Sequence, residues 1–115
     1  MATLEECRDA LTRLSDNLAG ADGDVRDAAD LDRSLSCRVT DLDVTFVGRL
    51  SHGRITVTDT VGGRPPAKAQ IRLSMTGDDL VALVAGKLNF AKAWASGRVR
   101  LEAGLRDLLR LRKLL

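Results

Sequence analysis

Hydrophobic and polar residues follow two different periods along this chain. Leu4, Cys7, Leu11, Leu14 and Leu18 recur at the three-and-four spacing of a helix with one apolar stripe, which predicts an amphipathic helix over residues 3–19 ended by Gly20. From Leu35 the period becomes two. Leu35, Cys37 and Val39 face one way and Ser36, Arg38 and Thr40 the other, and then Val44, Phe46, Gly48 and Leu50 oppose Thr45, Val47 and Arg49. A turn at Ser51, His52 and Gly53 leads to Ile55 and Val57, alternating with Thr56 and Thr58, so residues 35–57 read as a three-stranded antiparallel meander. One face of each strand is polar, so the sheet is expected to be covered on one side only, with Arg38, Thr45, Thr56 and, in the next strand, Arg72 exposed. Thr60 to Lys68, TVGGRPPAK, reads as a loop because paired glycines and paired prolines propagate neither regular structure.

The back third, Ile71 to Gly104, organises the rest. Ile71, Leu73 and Met75 alternate with Arg72, Ser74 and Thr76 as a strand; Thr76 and Asp79 then have the spacing of a capping box. Leu80, Val81, Leu83 and Val84 give a short helix one apolar stripe, and Gly86 stops it. Asn89 caps a second helix, Phe90 to Ser96, with Trp94 one turn after Phe90 on the same face. Gly97 ends that helix, and Arg98, Val99, Arg100, Leu101 and Glu102 resume alternation, with Val99 to Leu101 expected at or near a sheet edge. The spacing between the two strands suits a crossover over one sheet face, with both helices covering it. Leu105, Leu108, Leu109, Leu111, Leu114 and Leu115 form a last helix whose apolar arc is wider than surface packing requires; such a helix covers a core broadly, touches lipid or meets a partner chain. The order helix, three strands, loop, strand, two helices, strand, helix predicts a two-layer α+β sandwich. Its five-stranded, mostly antiparallel sheet is expected to be covered on one face by helices.

Composition narrows the class. A chain of 115 residues, 44% hydrophobic and 30% charged with net charge +2, is a single globular domain spanning residues 1–115 with a core of its own. No apolar run reaches the length of a membrane span, and MATLEECRD carries acids where a signal peptide needs bases, which points to a cytoplasmic location. Cys7 and Cys37 sit at apolar positions and read as buried free thiols. Charge is uneven: acids dominate residues 1–34, whereas residues 97–115 carry Arg98, Arg100, Arg106, Arg110, Arg112 and Lys113 against Glu102 and Asp107. Aromatic residues, at 3%, are too few for stacking nucleic-acid bases.

Catalytic chemistry finds little to stand on. His52 is the only histidine and sits beside a glycine, as turn residues do. The chain has no G-x-S-x-G, no metalloprotease signature, no C-x-x-C and no P-loop, and Gly62-Gly63 lacks the strand-to-helix context of a phosphate cradle. Asp22, Asp24 and Asp27 invite a calcium reading, but the glycine and terminal glutamate of an EF-hand loop are missing from their register. The expectation is a non-enzymatic domain with neither metal nor cofactor.

Asp79-Leu80 with Leu83, then Gly86-Lys87-Leu88-Asn89, Ala93 and Gly97-Arg98-Val99-Arg100-Leu101 resemble the sterol carrier protein 2 type sterol-binding domain family, and element order and length agree from end to end. One departure stands out. The family's glycine six positions after the one matching Gly97 is Ala103 here, with Gly104 one place later, which reshapes the turn into the last helix. The resemblance implies an apolar tunnel between sheet and helices that binds or carries a sterol, fatty acid, acyl-CoA or phospholipid. Leu83, Leu88, Phe90, Trp94, Leu105, Leu108 and Leu109 are the residues expected to line it. The competing expectation is an interaction module with a vestigial cavity, whose C-terminal helix meets a partner protein or a second copy in a homodimer.

Overall fold

The structure, a computed structural model, describes residues 2–20, 31–63 and 68–111. Asp22, Asp24 and Asp27, the Pro65-Pro66 tip of the TVGGRPPAK stretch, and Leu114 and Leu115 lie outside these residues, as do the side chains of Leu18 and Leu111. The elements are α1 (Leu4–Ala19), β1 (Asp32–Val39), β2 (Val44–Ser51), β3 (Arg54–Gly62), β4 (Ile71–Met75), α2 (Gly77–Val84), α3 (Phe90–Ser96), β5 (Arg100–Ala103) and α4 (Leu105–Leu111). The five strands form one mixed sheet in the order β3-β2-β1-β4-β5, an α+β architecture with the helices packed on it.

The meander stands as expected. β1 pairs β2 from Asp32↔Ser51 to Val39↔Val44, and β2 pairs β3, both antiparallel. His52 and Gly53 both have positive φ, 51° and 77°, the backbone of a two-residue type I′ hairpin that matches the strands' twist. β3 runs on to Gly62, three residues into the stretch expected to be loop, because Thr60, Val61 and Gly62 find register partners in Phe46, Thr45 and Val44. The register slips at Val47/Gly48, leaving Thr58 as the extra residue of a bulge, its hydroxyl bonded to the Val47 carbonyl at 3.1 Å.

Two expectations need correction. The segment from β4 through α2 and α3 to β5 is no parallel crossover: β4 and β5 are antiparallel neighbours, and the parallel pair is β1 with β4. The helices do cover the sheet, but the return strand runs back beside its own predecessor. Thr45 is completely buried on the face expected to be solvated, its hydroxyl donating to the Gly63 carbonyl at 2.6 Å. That bond satisfies the polar group and ties β2 to the end of β3. Thr56 is exposed, and Arg38 and Arg72 are half-buried.

The helix ends follow their caps. Thr3 and Glu6 form a reciprocal box at the start of α1, the Glu6 N–H donating to Thr3 Oγ1 at 3.2 Å and the Thr3 N–H to Glu6 Oε1 at 3.1 Å. In α2, Thr76 Oγ1 accepts from the Asp79 N–H, but the Asp79 carboxylate turns to Arg98 instead of back to the cap. Asn89 accepts from the Lys92 N–H to start α3, and Gly97, at φ 83°, ends it. α1 and α2 pack closely where Gly77 leaves room: a Cβ there would lie 3.0 Å from Cys7 Sγ.

Candidate functional site

The buried residues form two clusters, and their separation makes the site. One gathers Cys7, Ala10 and Leu11 of α1 with Cys37, Val39, Phe46, Met75, Leu80, Val84, Ala93 and Val99, at the end of the sheet where α1, α2 and α3 lie. The other, Leu31, Leu35, Leu50 and Ile71, occupies the opposite end, with Ile55, Leu73, Leu101 and Ala103 half-buried against it. Between them is a cavity of about 260 Å³. Its floor is the sheet: Leu35, Leu50, Ile55, Ile71, Leu73, Met75 and Leu101, drawn from all five strands; Leu14 of α1, Leu83 of α2 and Phe90 of α3 close it from the helical layer. Register explains the floor, since Leu35 lies beside Ile71 on one side and Gly48 on the other, and Leu73 beside Leu101.

Among the described residues every lining side chain is apolar, so none is a proton donor or a nucleophile. What the cavity can do is remove an apolar ligand from water, at about 0.8 kcal/mol per methylene. Among the described residues no group of three or more histidine, cysteine, aspartate or glutamate side chains is placed to hold a metal. A larger concavity, about 770 Å³, runs between α1 and the outer edge of β3, lined by Arg8, Asp16, Arg54, Asp59 and a row of threonines. It is a polar surface trough whose opposite charges are interspersed, and the smaller apolar cavity is the better site because its lining has one consistent chemistry.

Of the residues proposed from sequence to line the site, Leu83 and Phe90 do so. Leu88 instead packs, half-buried, against the first cluster. Trp94 lies one shell away, its ring tilted 55° to Phe90 with centroids 5.8 Å apart, and its other side borders a shallow hollow with Val99, Leu101 and Glu102. Leu105 and Leu109 point away from the protein, and Leu108 is half-buried outside the lining. The missed residues are Leu14 of α1 and those of the sheet, and the signal was present: Leu14 lies on the apolar stripe of its helix, and Leu35, Leu50, Ile71 and Leu73 hold the inward positions of the alternation.

α4 stands at the cavity's end of the sheet. Arg33 lies two residues before Leu35 on the same face of β1, and its Nε donates to Asp107 Oδ2 of α4 at 3.0 Å, with Asp107 mostly buried. At the opposite end Cys7 and Cys37 are free and buried. Burial, with a smaller contribution from the neighbouring Cys7, pushes the Cys37 thiol up to about 12. Burial also raises Cys7, reinforced by the charge of Asp41.

The profile of the alkyl sulfatase C-terminal family matches residues 10–115. The chain belongs to that family. Among solved structures it is similar to the stereoselective inverting sec-alkylsulfatase Pisa1 from Pseudomonas sp., with 26% identity and a TM-score of 0.53 over 79% of this chain and 14% of that one. It thus spans only a small part of that enzyme's length. It is also similar along nearly its whole length to sterol carrier protein 2, with 20% identity and a TM-score of 0.63, covering 96% of this chain and 88% of that one. The Aedes aegypti sterol carrier protein 2 like 2 gives a TM-score of 0.62 at 13% identity, covering 96% of each chain. At these identities the last two show the fold. No curated protein sequence matches the chain. The sterol carrier resemblance read from the sequence is therefore one of fold, and the family is that of the alkyl sulfatase C-terminal domain. Among the described residues no helix is long and apolar enough to cross a membrane.

Proposed function

We propose that this domain binds a single alkyl chain of medium length in the cavity between sheet and helices, and that it acts by binding, without catalysis of its own. The observation that carries this reading is the cavity's uniform apolar lining over about 260 Å³. An engineered cavity of about 150 Å³ holds the six carbons of benzene, so this one has room for about ten. A fused-ring sterol or a two-chain phospholipid would have to displace the lining, whereas an unbranched chain would not. Membership of the alkyl sulfatase C-terminal family supports the same ligand chemistry, since alkyl chains are the apolar part of what an alkylsulfatase, by its name, acts on. The sterol carrier fold supports a lipid-binding role at the level of the family.

Trp94 makes the test simple. It is the only tryptophan and touches Phe90, which lines the cavity. Decanoate or decanol below its aggregation threshold should change the fluorescence of Trp94 saturably with one site per chain, and cholesterol should leave it unchanged. Equal responses to both, or none to either, would contradict the proposal.

A further inference from the structure

Among the described residues the cavity is lined by apolar side chains alone, so the polar end of a ligand has to lie at its rim. One charged group stands there. Of the strand residues that alternation and register place on the helix-facing side of the sheet, Arg33 alone is charged. It precedes Leu35 by two positions and lies opposite Leu50 on β2, and both leucines belong to the cavity floor. Its side chain is 35% exposed, so the guanidinium is neither sealed in the core nor out in bulk water. Nε donates to Asp107 Oδ2 at 3.0 Å and Nη1 to the Asp32 carbonyl at 2.9 Å. Those two bonds fix the plane of the guanidinium, and among the described residues Nη2 has no partner. Because a guanidinium presents several N–H donors in one rigid fork, a free edge remains for an acceptor from elsewhere.

From this placement we infer, resting on the alkyl-chain reading and narrowing it, that the ligand is an alkyl anion whose head group, a carboxylate or a sulfate ester, is received by Arg33 at the rim of the cavity. A neutral alcohol fills the same cavity without needing the cation. The bound chain has its head beside Leu35 and Leu50 and its terminal methyl toward Met75, which pairs with Val39 at the far end of β1. Asp107 acts in two opposing ways. It holds the guanidinium in position, and its charge repels the incoming oxyanion, so the attraction comes from the free N–H edge and not from net charge.

Trp94 fluorescence titrations of the whole chain at pH 8 and low salt test this, with decanoate, decyl sulfate and decanol, each below its aggregation threshold. At least one of the two anions should bind about tenfold more tightly than decanol, the worth of one charge-assisted hydrogen bond. The larger gain identifies the head group, and rising salt should narrow it. Arg33→Gln should abolish the preference for the anion. Asp107→Asn, whose amide oxygen still accepts from Nε, should enlarge it, since a negative charge beside the head group is gone. Each ratio is taken within one variant, so a partial loss of folded protein affects anion and alcohol alike and cancels. Equal affinities for anions and alcohol in the intact chain, or a preference that survives Arg33→Gln, would overturn the inference and leave the alkyl-chain reading in place. A preference reduced as much by Asp107→Asn as by Arg33→Gln would overturn it too, because the pair would then act only by holding α4. Saturable binding of none of the three would remove the alkyl-chain reading itself, and the anion with it.

Discussion

Leu83→Phe distinguishes a real cavity from a filled core by the sign of its effect on stability. Leu83 projects from α2 into the space over Ile71, Leu73 and Met75, and phenylalanine adds three carbons there. Burying them contributes about 2.4 kcal/mol at about 0.8 kcal/mol per carbon. In a closely packed interior the same change costs about 1–3 kcal/mol through displaced rotamers and backbone. An apolar void of about 260 Å³, at about 24 cal/mol per Å³, carries a cost on the order of 6 kcal/mol that partial filling relieves. After the cost of ordering the ring, the expected outcome is a gain of about 1 kcal/mol. It is read as a higher urea midpoint with an unchanged m-value, together with at least a tenfold loss of decanoate affinity. A loss of about 1 kcal/mol or more, with ligand binding unaffected, would mean that Leu83 sits in a filled core.

Three further outcomes follow from other parts of the fold. Gly48→Ala should cost about 3 kcal/mol or more in urea unfolding, since a Cβ there would lie 2.0 Å from the Thr56 carbonyl oxygen and the bulged strand would have to move. Trp94→Ala should cost about 1–2 kcal/mol, well short of the roughly 3–5 of a tightly buried tryptophan, because the ring is half-buried and its main partner is Phe90. Folding raises the Cys37 thiol from about 9 to about 12, so the folded state favours the neutral form: its contribution to stability is complete below about pH 9 and is lost as pH rises toward 12. A thiol reagent at pH 8 should accordingly label Cys37 only after denaturant is added, and labelling of the native protein at the free-thiol rate would contradict its burial.

The elements were legible in the sequence wherever one local rule decided them. Helical spacing marked α1, alternation marked β1 to β4, and Asn89 and Gly97 bracketed α3 with the caps that the structure shows. Less legible were features set by pairing at a distance. The burial of Thr45 depends on the Gly63 carbonyl arriving from the end of β3, and the antiparallel return of β5 beside β4 depends on where α2 and α3 leave the chain. Phe90 and Leu83 were found at the site because they fall on helix faces turned toward the sheet. The leucines of α4 were placed there on the helix's wide apolar arc and on the family resemblance, whereas Asp107 of the same helix pairs with Arg33 and Leu105 and Leu109 face outward. The sheet's own contribution to the cavity was written in the alternation but not singled out, because an inward aliphatic residue looks the same whether it meets another side chain or a void.

An alkyl chain is expected to occupy the space between the two clusters, and nuclear Overhauser contacts between carbon-labelled decanoate and the protein's methyl groups test that directly. The chain should contact the methyls of Leu35, Ile71, Leu73 and Leu83 together, at one ligand per protein, and the contacts should vanish in Leu83→Phe. Contacts confined to Leu105 and Leu109, or to the threonines along β3, would place the ligand outside the cavity and contradict its role as the binding site.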